Sequence, residues 1–139
     1  MPRLARYFIR AGLVYFVVGL LLGALLVARP YIDVPPQVAA FSPVYIHLLV
    51  VGWVTQIIIG VAYWMFPKYS KEQPRGHETL GWGVFILLNV GLLLRVIGEP
   101  LTSVQPDSGL GWILLVSALC QLLAGWGFVF NTWTRVKER

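Results

Sequence analysis

From Val34 to Pro67 the chain carries no Asp, Glu, Lys or Arg. A run of that length has no polar face to show to water. It also exceeds the roughly 20 apolar residues a helix needs to cross a hydrocarbon layer about 30 Å thick. Three more stretches have the same character, so the predicted spans are residues 7–28, 42–66, 79–98 and 110–133. Composition agrees: 58% of residues are apolar and 12% charged, against roughly 45–50% and 25% in soluble domains. The expectation is one integral membrane domain over residues 1–139. It is all-α, an up-down four-helix bundle with short Pro- and Gly-bearing links at Arg29-Pro30, Pro35-Pro36, Pro67, Pro74 to Gly76, Pro100 and Pro106 to Gly109. The first span is too long for a removable leader and lacks a small-residue cleavage site.

Charge placement sets direction. Arg3, Arg6 and Arg10 precede the first span, Lys68, Lys71 and Arg75 separate the second from the third, and Arg135, Lys137 and Arg139 follow the fourth. The other two links hold only Arg29. By the positive-inside rule both termini face the cytoplasm of what reads as a prokaryotic cytoplasmic membrane. Basic residues grouped this way set topology and do not track phosphates, which excludes nucleic acid as a partner. The single cysteine permits no intrachain disulfide, and the absence of C-x-x-C and C-x-x-C-H excludes a zinc ribbon and covalent haem. No P-loop, G-x-S-x-G or H-E-x-x-H occurs, and no acidic residue lies deep in a span to relay protons.

Ionisable side chains at membrane depth are costly and therefore candidates for function. His47 lies near the outer end of the second span. On a regular helix, at about 100° per residue, Val50, Val51, Val54, Ile58, Val61 and Met65 share its face. Gly52, Gln56 and Gly60 mark the opposite face as a close-packing seam. An imidazole above an apolar groove suits a flat, iron-bearing cofactor, with Val51, Val54 and the deeper Trp53 as candidate walls. The plain alternative is a histidine hydrogen-bonded to a neighbouring helix. Arg95, near the outer end of the third span, pairs with Glu99 at i,i+4. It either snorkels to the interface or clamps an anion such as a haem propionate. His77 reads as a solvated loop residue, Cys120 as a buried thiol, and Asn89, Ser117 and Gln121 as interhelical hydrogen-bonding groups.

The stretch from His47 through Gly52, Gln56 and Gly60 to Tyr63-Trp64-Met65-Phe66-Pro67 resembles the second helix of the haem–copper oxidase main subunit. That superfamily includes the nitric oxide reductases. The Asn89-Val-Gly-Leu-Leu-Leu-Arg95 stretch with Gly98-Glu99-Pro100 is similar to its third helix. The resemblance implies that His47 ligates a low-spin, non-covalent haem b, with Arg95 near the propionates, for electron transfer or for sensing or binding oxygen or nitric oxide. It also implies one four-helix arc where the family's main subunit has three, and histidines too few for a haem–copper binuclear centre in a monomer. Enzymatic activity is therefore left open. A homo-oligomer, trimer or dimer, could bring His47 from two copies to one iron; the redox partner is not specified. Copper on clustered His47 residues is the weaker cofactor, since only Met65 offers sulfur on that face. The alternative from another class is a membrane subunit or assembly partner that keeps the fold and binds no cofactor.

Overall fold

The computed structural model describes residues 1–70 and 76–136. Pro74, Lys71, Arg75, Lys137 and Arg139, used above for the link and for orientation, lie outside the described residues. The described residues contain four helices long and apolar enough to cross a membrane: α1 (Arg3–Ala28), α2 (Pro36–Met65), α3 (Glu78–Val104) and α4 (Trp112–Arg135). All regular structure here is helical, as the uncharged runs require, because only a helix or a closed barrel satisfies its backbone inside lipid.

The ends follow local chemistry. Pro2 sits at the N-cap of α1 in an extended conformation, and Pro30 stands two residues beyond its last turn, where it cannot continue the helix. Pro35 and Pro36 open α2 with a tight 3-10 turn, Pro36–Phe41, earlier than the start at 42 expected from hydropathy. α3 runs past Pro100 to Val104, although the expected span ends at 98. Proline there removes one backbone donor only, and the Thr102 hydroxyl donates to the carbonyls of Gly98 (2.7 Å) and Glu99 (3.2 Å).

One local feature departs from the regular geometry assumed for the sequence. Within α2, Leu48–Thr55 forms a π-helix between two α-helical segments, Ser42–His47 and Gln56–Met65. The wider turn leaves a carbonyl reachable five residues back, and the Thr55 hydroxyl donates to Val50 O at 2.8 Å. Such wide turns are uncommon and cluster at functional sites. Here the turn begins at the residue following His47.

α1 packs against α2, α2 against α3 and α3 against α4, with side-chain contacts also from α1 to α3 (Tyr15 to Asn89) and from α4 to α2 (Asn131 to Tyr63). Among the described residues α1 and α4 share no packed seam, so the four helices form an open arc. Glycine sets its close approaches: a Cβ on Gly52 would lie 2.8 Å from Tyr15 Cβ, and one on Gly60 would lie 3.1 Å from the Ala5 carbonyl oxygen. Between α3 and α4, a Cβ on Gly91 would lie 3.0 Å from the Ser117 carbonyl oxygen. One end is filled by Leu4, Phe8, Ile59, Tyr63, Val84 and Leu88. There Phe8 stacks on Tyr63 (ring centroids 5.8 Å apart) and meets Phe85 edge-on (5.0 Å). The other end packs Val44, Leu48 and Leu92 and carries His47.

The Gly52 seam generates a paired prediction. Gly52→Leu should lower the thermal unfolding midpoint in detergent, with overpacking costing about 1–3 kcal/mol. Gly83→Ala, where a Cβ would meet nothing within 4 Å, should hold or raise it, by up to about 1 kcal/mol from helix propensity.

Candidate functional site

Pro43 and the π-helix fix where His47 points. Pro43 lies one turn earlier in the short α-helical segment, and its carbonyl oxygen is 2.9 Å from His47 Nδ1. The same nitrogen is 3.2 Å from Glu99 Oε1 on α3. Both neighbours of Nδ1 are acceptors, so the hydrogen-bond network assigns the ring proton to Nδ1. In that tautomer the lone pair sits on Nε2, which has no hydrogen-bond partner among the described residues. The side chain is 28% exposed. A ring that donates through one nitrogen and leaves the other open is the usual disposition of a metal-ligating histidine.

Glu99 joins this imidazole to Arg95. Arg95 Nη1 donates to Glu99 Oε1 at 3.2 Å, and Arg95 Nε donates to the Ser117 hydroxyl on α4 at 3.3 Å. Ser117 in turn donates to Gly91 O at 2.6 Å and accepts from Gln121 Nε2 at 3.4 Å. The Glu99 side chain is 9% exposed, and its Oε2 is buried with no hydrogen-bond partner among the described residues. The i,i+4 pair expected for Arg95 and Glu99 is present. What the residue pattern did not disclose is that one carboxylate oxygen serves both Arg95 and His47. The available signal was depth: antiparallel α2 and α3 bring the start of one and the end of the other to the same end of the arc.

The candidate walls are divided. Val54 is exposed, in a strip with Ile46, Val50, Ile58 and Met65. Val51 is half-buried against both core clusters. Trp53 lies over Phe16 of α1, ring centroids 4.1 Å apart. The π-helix accounts for this division, because its wider turn removes the regular angular step on which the shared face was projected. Gly52, Gln56 and Gly60 are buried as a seam, with Gln56 fully enclosed.

Elsewhere the polar groups of the spans serve packing. Gln56 Nε2 and the Tyr15 hydroxyl each donate to Asn89 Oδ1 at 3.0 Å. Asn131 receives the His77 backbone N–H at 2.9 Å and donates to the Tyr63 hydroxyl at 3.2 Å. Arg135, counted above only as a topology charge, is 1% exposed. Its guanidinium donates to the carbonyls of Tyr63 (3.3 Å), Phe66 (3.0 Å) and Pro67 (3.0 Å). It thereby satisfies the orphan acceptors at the C-terminal end of α2. A cleft of about 780 Å³ opens at this end beside His77, Trp126, Phe130 and Trp133, at the opposite end of the helices from His47. No group of three or more His, Cys, Asp or Glu side chains able to hold a metal ion occurs among the described residues.

The family described as cytochrome c and quinol oxidase polypeptide I matches residues 2–104. The chain belongs to that family. The match spans α1, α2 and α3 and takes in His47, Arg95 and Glu99, while α4 follows it. No curated protein and no solved structure matches the chain. Family membership and the four apolar helices make this an integral membrane protein related to the oxidase main subunit.

The ion pair yields a stability prediction. Arg95→Leu leaves the Glu99 carboxylate buried without its cation and should cost about 3–5 kcal/mol. Arg95→Leu with Glu99→Leu should recover most of that loss, because apolar replacement of a buried pair is close to neutral. Thermal unfolding of wild type, single and double variants in one detergent reads both effects.

Proposed function

We propose that this chain is a membrane haem protein in which His47 Nε2 supplies an axial bond to iron of a non-covalent haem b. The observation that carries the reading is an imidazole oriented through Nδ1, by the Pro43 carbonyl with Glu99 3.2 Å away, with Nε2 unpartnered among the described residues, in a family whose members bind haem and copper. The donor set fits haem better than free copper, because one imidazole and an apolar strip suit a large apolar ring held on one side. Val54, with Val50 and Ile58, forms the apolar bed; Val51 and Trp53 brace it from behind. Arg95 Nη2 has no partner among the described residues and is the group available to a propionate.

When bound, haem supplies a one-electron redox centre or a gas-binding iron, according to whether its sixth position is filled. This chain offers one histidine at that end, so a bis-histidine site takes its second ligand from another copy. A dimer or a trimer of arcs supplies one, and the open flank of each arc leaves room for neighbours. The residues form a single four-span domain over 1–139, with both termini at the cytoplasmic face and His47 toward the opposite face. The bis-His arrangement favours electron transfer, to a partner still to be found; an open sixth position favours oxygen or nitric oxide binding.

A second reading has an observation of its own. The His47–Glu99 contact at 3.2 Å already ties α2 to α3, which suits a subunit or assembly partner that binds no cofactor. His47→Ala separates the two. For a haem protein the variant should lose the Soret band while eluting as the same folded oligomer. Haem absorbance retained by a folded His47→Ala variant overturns the assignment.

A further inference from the structure

We propose that Glu99 is the positioning residue of His47: its carboxylate, 3.2 Å from Nδ1, strengthens Nε2 as an iron donor. The inference rests on the reading of His47 as a ligand and adds the group that sets its strength.

Three observations carry it. The first is the division of labour at Nδ1. Pro43 O, at 2.9 Å on the same helix, suffices to fix the ring tautomer. A second acceptor at 3.2 Å from a different helix is therefore not needed for orientation alone. What it adds is negative charge beside the ring, which raises electron density at the ligating nitrogen.

The second is burial. The carboxylate is 9% exposed, so water screens its interaction with the imidazole little. The third is incomplete neutralisation. Arg95 reaches only Oε1, at 3.2 Å, and also donates to Ser117. Oε2 is buried and unpartnered among the described residues. A fork-to-fork pair with arginine would engage both oxygens; here the guanidinium engages one.

The full-length protein, labelled with 15N-histidine and carrying His77→Gln so that His47 alone is observed, tests this before and after haem is supplied. Without haem, the long-range ring correlations should report the Nδ1–H tautomer. Glu99→Gln, which keeps size and an acceptor oxygen, should retain that tautomer and move the Nδ1 resonance. With haem, Glu99→Gln should keep the Soret band, weaken haem affinity about 10–100-fold and raise the midpoint potential, because a weaker donor stabilises ferric iron less. Glu99→Leu should show the same changes more strongly if it folds; the Gln variant decides if it does not. An Nε2–H tautomer in wild type, or an Nδ1 resonance unmoved by Glu99→Gln, overturns the proposal. So does unchanged affinity and potential in the haem-loaded variant. A protein that stays colourless while Glu99→Gln moves the resonance overturns the ligand reading and leaves the Glu99–His47 contact standing.

Discussion

A polar side chain inside hydrocarbon has no water to turn to, so each must find its partner within the protein. In this arc those partners lie largely on neighbouring helices. Tyr15 and Gln56 meet at Asn89, joining α1, α2 and α3. Arg95 reaches Ser117, joining α3 to α4. Asn131 binds Tyr63 and the His77 backbone, and Arg135 closes the end of α2. These contacts fix which faces of largely featureless apolar helices turn inward. The glycines then let backbones come close enough for them to form, as at Gly52 against Tyr15.

His47 is governed by the same constraint and answers it differently. Its Nδ1 is hydrogen-bonded to the Pro43 carbonyl within its own helix and lies 3.2 Å from the Glu99 carboxylate of α3, while its Nε2 has no hydrogen-bond partner among the described residues. Asn89 and Asn131, in contrast, bond other helices. The π-helix starting at Leu48 is consistent with this. A wider turn costs hydrogen-bond geometry, and it sits where the chain passes the imidazole.

Much of this was legible in the residues. The uncharged run from Val34, the Gly52-Gln56-Gly60 seam and the Arg95–Glu99 spacing each follow from periodicity or hydropathy, and each has its counterpart in the structure. The Asn89 and Ser117 bonds were legible as a class, though their partners were not. Three features were hidden for physical reasons. The π-helix leaves no simple residue signature, and Val51 turns into the core beside the exposed strip that holds Val54. Arg135 looked like any basic residue after a span, because nothing local tells that its guanidinium folds back onto Tyr63, Phe66 and Pro67. The Glu99–His47 contact joins residues far apart in sequence, and only the antiparallel pairing of α2 and α3 brings them level.

Membership in the oxidase polypeptide I family gives the arc its context. The central claim is that His47 Nε2 binds haem iron. The most direct measurement is the absorption spectrum of the detergent-purified protein, oxidised and dithionite-reduced, with haem counted per chain. The account predicts a Soret band. A sharp reduced α-band at half a haem per chain or less would mean a ring shared between His47 residues, and a broad high-spin spectrum at one haem per chain would mean an open sixth position. A folded protein that stays colourless after haem is supplied would contradict it, and would leave His47 as a tie between α2 and α3.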